Sequence, residues 1–403
     1  MSISALRTSR LAWRKIKRTL EWLFYWTFDT AVLAFIRPKP DTKVSVIIHI
    51  ELLGDYCLWW PYGRALVAHE LARGQRVVLV VNGILCPLVT KHFPGCQIVG
   101  ISRSRFTRDL GTRAVQLRKL RRLAAGIVYH DTHPRDGLIE DASVRALSGA
   151  CTWGFDATFD DRIWLDRRLS RRLYSQLIPT MPGVHQAKRH LALLRAVGIK
   201  NVETIPSGEF FAGTVLDKRL VPYFVIVPGG SHAGRLWPVE RFAQIAIKIL
   251  HVNPHWRCVV LGTEKEKDLG ETISDLVGNN VDNLTGQTEL VEFVRWISQA
   301  RLVVGNDSAA CHVAAACGTP NVAVVGGGHY GRCYPYDTSE ARVRRLPITV
   351  SEPMPCSGCN WICCYPVGVS QPYPCITTIE VEPLWSVIKA FLDEPDASPH
   401  AGI

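Results

Sequence analysis

The chain has 403 residues, enough for two domains with separate cores, and its 47% apolar and 21% charged composition is that of a globular protein. Its formal net charge of +11 suits an anionic partner. Zinc-finger spacing, an aromatic RNA-binding pattern and a basic zipper are all missing, so a membrane surface or a phosphorylated substrate is the expected partner and nucleic acid is not.

Residues 1–40 read as a separate basic, aromatic segment. Arg7, Arg10, Arg14, Lys15, Lys17 and Arg18 precede Leu20–Ile36, which holds Trp22, Phe24, Tyr25, Trp26, Phe28 and Phe35. The apolar run is short and contains Glu21 and Asp29, so it predicts a helix lying in the membrane interface rather than a span. The alternative is a helix packed on the protein's own surface. No cleavable signal peptide is evident.

From Val44 a strand–helix–strand rhythm begins. Val44–Ile50 is an apolar strand, Glu51–Pro61 a turn entering a helix that ends near Arg73, and Val77–Val81 the next strand. Gln97–Ile101 and Ala125–Asp131 are further strands around an arginine-rich helix, 112–123. Ser148–Asp156 is another strand region, and His190–Gly198 a helix near the domain boundary. The first domain is expected over 43–205, with Pro206–Leu220 as the linker. The second, 215–375, restarts with strand Tyr223–Val227, helix Glu240–Leu250, strand Arg257–Leu261 and helix Leu290–Gln299. Residues 376–395 form a closing helix. The alternation predicts an α/β fold of two Rossmann-like domains with a cleft between them.

Within the second domain, Arg301–Val325 encodes a strand, a Gly-Asn-Asp-Ser turn, a helix rich in small residues, a Gly-Thr-Pro stop and a second strand. Asp307 or Ser308 can cap that helix, whose first amides form a ready anion site. Pro228-Gly-Gly-Ser231 lets backbone amides of Gly230 and its neighbours approach a phosphate, and Arg235 adds charge. Glu264, after Gly262 at a strand end, can bond a ribose diol or stand as a solvated helix start. Asp55, at the end of the first strand, is either a helix cap or a proton acceptor. Gly326–Gly331 fits G-x-G-x-x-G, but Arg332–Pro335 cannot continue as the required helix, so it reads as a flexible loop. Cys356, Cys359, Cys363, Cys364 and Cys375 lack the second C-x2-C of a zinc ribbon; free thiols are expected over a structural metal. No Asp-x-Asp metal pair stands out; Asp160-Asp161 is contiguous.

Three of these stretches carry a resemblance. Asp307-Ser-Ala-Ala-Cys-His312-Val-Ala-Ala-Ala-Cys-Gly318-Thr-Pro320 resembles the C-terminal signature of the heptosyltransferase-type glycosyltransferases of family 9, with Ala309 where a Gly is usual. Gly54, Asp55 and Pro61 match the family's N-terminal signature in register. Ser231, Arg235, Trp237 and Pro238 match its donor loop, with Arg for the usual Lys. The resemblance implies the glycosyltransferase-B (GT-B) architecture. It implies an inverting, metal-independent enzyme that moves a heptose or similar sugar from a nucleotide-sugar, ADP-heptose, onto a lipopolysaccharide or lipid-linked glycan acceptor. Asp55 would be the catalytic base. Gly230, Ser231, Arg235, Gly262, Glu264, Asp307, Ser308, Ala309 and His312 would bind the donor, with no metal and no cofactor. The expected place is the cytoplasmic face of a membrane, held peripherally by residues 1–36. The competing readings are a nucleotide-sugar 2-epimerase of the same fold and an inactive scaffold protein of glycan assembly.

Overall fold

The computed structural model describes residues 3–133, 135–156, 164–180, 183–202, 210, 221–336, 346–368 and 370–393, with the helical backbone alone at 3–15 and 164–167. The expected linker 206–220, apart from Phe210, and the Asp160-Asp161 pair lie outside these residues.

The chain forms two compact units. The first is Met1–Leu52, Tyr62–Pro182 and Arg189–Lys200; the second is Leu53–Pro61, Gly183–Lys188 and Asn201–Ile403. In order, the first unit's elements begin with α1 (Ile3–Leu33), β1 (Asp41–His49), α2 (Leu53–Ala72), β2 (Arg76–Asn82), α3 (Cys86–His92) and β3 (Gln97–Ile101). They continue with α4 (Arg103–Arg108), α5 (Leu110–Arg121), β4 (Ala125–His130), α6 (Glu140–Leu147), β5 (Cys151–Phe155), α7 (Trp164–Arg171), β6 (Gln176–Ile178) and α8 (Gln186–Val197). The six strands are parallel in the order β3-β2-β1-β4-β5-β6. A strand covered on both faces needs a largely apolar run, and β1 supplies one: Val44 through His49 is buried throughout, with the polar Ser45 hydroxyl bonded to Glu70.

The second unit carries β7 (Tyr223–Val227), α9 (Val239–Val252), β8 (Arg257–Val260), α10 (Lys267–Val277), β9 (Val281–Asn283) and α11 (Leu290–Ser298). Then come β10 (Val303–Asn306), α12 (Ala309–Cys317), β11 (Asn321–Val324), β12 (Ile348–Val350), α13 (Pro374–Thr377) and α14 (Val381–Leu392). Its parallel sheet runs β12-β11-β10-β7-β8-β9, the same winding as the first. In both, strand order reverses between the first and fourth strands, where ligands bind in open parallel sheets. In the second unit that point lies between β7 and β10. The α/β class of two Rossmann-like units expected from the alternation is what the chain forms.

Helix α2 passes from one unit to the other at Pro61. Proline lacks the N–H that would bond the carbonyl four residues back, so the helix is weakest there. Its first turns pack with the second unit: Leu58 belongs to the apolar cluster of Cys311, Ala315, Ala323 and Tyr334.

Helix α1 does not stand apart as a separate segment, because its C-terminal half packs on the first unit. Leu33 joins the core of β1, β2 and β4, and Trp22 is buried. Asp29 takes both Nε (2.6 Å) and Nη2 (2.7 Å) of buried Arg113, and the Tyr25 hydroxyl donates to the Thr107 carbonyl. The helix keeps an outward stripe: Ile16, Leu20 and Phe24, four residues apart, are exposed, and Phe35 beyond its end is 96% exposed. Among the described residues no helix is long and apolar enough to cross a membrane.

Candidate active site

The second unit gathers its chemistry around the start of α12. Strand β10 ends at Asn306, whose amide holds the loop after β7. Its Nδ2 donates to the Pro228 carbonyl (2.6 Å), and its Oδ1 accepts from the Trp237 amide (3.0 Å). Asn306 therefore fixes both ends of the Gly-rich loop against the switch point. The sequence reading passed over Asn306, although a polar residue closing a buried strand is a signal of this kind of clamp.

Arg235 lies across this turn. Its Nη1 donates to the Asp307 carbonyl (3.0 Å) and sits 3.9 Å from Asp307 Oδ2, and its guanidinium stacks over Trp361 at 4.7 Å. Gly230 is small because a Cβ there would press on the Arg235 stem at 3.2 Å. Three buried polar atoms meet here without a hydrogen-bond partner among the described residues: Arg235 Nε, Asp307 Oδ2 and Ser308 Oγ. Unpaired buried polar atoms cost free energy unless a ligand satisfies them. Ser308 occupies the cap position of α12, but its side chain does not cap, and neither does that of Asp307. The capping role expected for them is corrected: the first amides of α12 are left to something other than the protein's own hydroxyl or carboxylate.

Asp307 is 3% exposed. Burial raises its pKa, and Asp55 pushes the same way, while Arg235 and Arg332 oppose them. Asp55 is thus an electrostatic neighbour of Asp307. It is not a helix cap, because Leu52 holds that position and Asp55 lies in the first turn of α2. The approach of the two helix starts is close: a Cβ on Gly54 would stand 3.0 Å from His312 Cδ2 and 3.4 Å from the Ala309 Cα.

His312, 5% exposed, bonds Tyr336 through Nδ1 (2.6 Å) and stacks on Tyr334 at 4.6 Å. Burial, His185 and Arg235 depress its pKa to about 3, so the ring is neutral at physiological pH. Its ring packs against Gly54 in the first turn of α2.

Glu264 is exposed at the start of a short turn, Glu264–Glu266. The carboxylate facing the Gly-rich loop belongs to Glu266, two residues on. It accepts from the Thr263 amide (2.5 Å), and its Oε1 would meet a Cβ on Gly229 at 1.9 Å. Sequence spacing picked the strand-end Glu264; the capping box that turns Glu266 inward needs both Thr263 and a residue three on.

The stretch after β11 is not a flexible loop. Gly326, Gly327 and Gly328 are buried, and a Cβ on Gly328 would collide with Trp361 at 2.2 Å. Trp361 comes from the cysteine-rich segment, which the sequence weighed only for metal. It stacks with His232 (5.6 Å) as well as over Arg235, and Asn360 and Trp361 both hold positive φ to place it. All described cysteines are free thiols, and no three His, Cys, Asp or Glu residues converge as a metal site among the described residues.

Residues 183–355 match the family model described as "Glycosyltransferase family 9 (heptosyltransferase)". Over 110 residues the chain is 30% identical to lipopolysaccharide heptosyltransferase 2 of Salmonella typhimurium, covering 26% of this chain and 31% of that protein. The match therefore spans about a third of that relative's length. The fold agrees over far more of the chain. It superposes on the family 9 glycosyl transferase of Veillonella parvula with TM-score 0.64 at 16% identity, covering 88% of this chain and 98% of that one. It superposes on E. coli heptosyltransferase WaaC, solved with ADP-2-deoxy-2-fluoro heptose, with TM-score 0.62 at 15% identity, covering 86% and 99%. Residues 183–355, which hold the Asp307–Pro320 stretch at the switch point, thus match the glycosyltransferase family 9 (heptosyltransferase) model, and the two sheets of identical winding give the chain the GT-B fold.

Proposed function

We propose that the protein transfers a sugar, a heptose or close analogue, from a nucleoside-diphosphate donor to a hydroxyl of a lipopolysaccharide-type or lipid-linked acceptor, inverting the anomeric centre. The observation that carries this reading is that Arg235 Nε, Asp307 Oδ2 and Ser308 Oγ, at the start of α12, are buried without a hydrogen-bond partner among the described residues, with Asp55 acting on Asp307. The second support is that a homologous fold has been solved with an ADP-sugar analogue.

The chemistry runs as a single displacement. Asp55 accepts the proton of the acceptor hydroxyl while its oxygen attacks the anomeric carbon, and the bond to the diphosphate breaks on the opposite face. Negative charge grows on the departing phosphates. Arg235, the first amides of α12 and the backbone at Gly229–Ser231 stabilise it, and these fixed groups do so without a metal. The Glu266 carboxylate, turned to the Gly-rich loop, is better placed than Glu264 to meet the donor's ribose diol.

The exposed stripe of α1 holds the enzyme peripherally at the cytoplasmic face of a membrane. Because α1 also covers the first unit's core, point changes test this better than deletion of residues 1–36.

Asp55→Asn is the decisive variant. Transfer to acceptor should fall by a factor of about 10² to 10⁴, with donor binding by calorimetry unchanged. Undiminished turnover would remove Asp55 from the mechanism. Incubation with donor alone separates transfer from epimerisation, which needs no acceptor.

A further inference from the structure

At the end of α1 the first unit holds an open cavity of about 230 Å³, lined by Leu33, Ala34 and Ile36 on one side and Arg37, Arg121 and Arg145 on the other. A single water needs only about 10–15 Å³ of such space, so a larger group fits.

Among the described residues the three guanidiniums of Arg37, Arg121 and Arg145 have no acid in an ion pair with them, and Asp29, the acid that acts on Arg145, already gives both oxygens to Arg113. The Nε of Arg121 is buried with no hydrogen-bond partner among the described residues. Burial lowers the pKa of both Arg121 and Arg145, and Arg121 repels Arg145 further. The C-terminal end of α1 offers about half a negative charge, well short of three positive ones.

Arg145 is fixed in place by its neighbours. It donates to the Trp26 carbonyl (3.0 Å) and to the Thr30 hydroxyl, and it stacks on the Trp26 ring at 3.9 Å. Beside this cationic hollow stands Phe35, 96% exposed, two residues past the end of the helix that shows Ile16, Leu20 and Phe24 to solvent. An apolar side chain next to a fixed cluster of arginines matches the boundary between acyl chains and phosphates.

We infer that this cavity binds the phosphate of an anionic lipid headgroup, with Arg37, Arg121 and Arg145 as its ligands and Phe35 entering the acyl region. The inference extends the membrane contact proposed for α1 and is independent of the sugar chemistry.

Vesicle co-sedimentation at about 0.15 M salt tests it, where long-range attraction is largely screened. Vesicles of phosphatidylcholine alone are compared with vesicles containing phosphatidylglycerol. The wild-type protein should prefer the anionic vesicles. Arg37→Gln with Arg121→Gln should weaken that binding about fivefold per arginine removed, the effect of a basic residue held within a Debye length of the membrane surface. Arg118→Gln with Arg122→Gln, the same charge loss at exposed positions on and just after α5, should weaken it less than twofold, with thermal melts of all forms matched. Equal losses in the two pairs would overturn the pocket in favour of diffuse charge. Displacement by millimolar inorganic phosphate would mark a free-anion site instead. Binding to neutral vesicles that ignores these arginines would keep membrane contact through the α1 stripe and discard the pocket; no vesicle binding would discard both.

Discussion

Replacing Gly54 by alanine probes the contact between the starts of α2 and α12. In an exposed helix the change would stabilise by about 0.5–1 kcal/mol, because alanine loses less backbone entropy. Here the new Cβ meets His312 Cδ2 at 3.0 Å and the Ala309 Cα at 3.4 Å. His312 cannot swing aside, since Tyr336 bonds it and Tyr334 stacks on it, and the Ala309 contact is backbone. Overpacking of this kind costs about 1–3 kcal/mol. The net is a loss of about 1 kcal/mol, or a fall of about 2–4 °C in the transition of a unit this size. Relief comes by shifting the turn that carries Asp55. A displacement of about 1 Å costs on the order of 10² in rate, so even a few tenths should lower kcat severalfold. Calorimetric melting paired with steady-state transfer assays reads both numbers. A melting point above wild type with kcat unchanged would refute the claim that this contact positions Asp55.

Arg235→Lys keeps the charge but loses the bond to the Asp307 carbonyl and the stack on Trp361; kcat/KM for the donor should fall about 10- to 100-fold, and a change under threefold would show that an ammonium serves as well. His312 and His329 both have folded pKa values depressed to about 3 from 6.5, so the stability they contribute is complete above pH 6.5 and is lost as pH falls toward 3. Each contributes a slope of about 1.4 kcal/mol per pH unit in that window, and urea melts of His312→Gln should show the slope reduced by about one proton. Asp29→Asn strands the buried Arg113 guanidinium and should destabilise the first unit by about 3–5 kcal/mol; a loss below 1 kcal/mol in denaturant melts would mean α1 is only loosely attached.

Much of this arrangement was legible in the residues. Buried parallel strands need continuous apolar runs, so Gln97–Ile101 and Tyr223–Val227 are legible to the residue, while the closing helix expected over 376–395 forms at Val381–Leu392. The motifs at 54–55, 228–238 and 307–320 work through backbone geometry and small residues, which leave a strong mark in sequence. Long-range pairing leaves none. Nothing near Asp29 announces Arg113, 84 positions away, so a helix that covers a core reads as a loose amphipathic segment. Trp361 was hidden among cysteines that suggested metal, and Glu266 was masked by the more obvious strand-end Glu264. For Asp29 and Trp361 a distant partner decided the placement, and for Glu266 a three-residue capping box did.

The passage of α2 between units at Pro61 bears on how the protein can be dissected. A fragment beginning at Gly183 would retain the groups proposed to hold the donor phosphates yet lack the carboxylate proposed to drive the reaction, because that carboxylate is encoded some 130 positions upstream. No single cut in the gene yields a self-sufficient catalytic half. Shuffling of donor specificities among relatives would have to exchange the short 53–61 stretch together with the C-terminal portion.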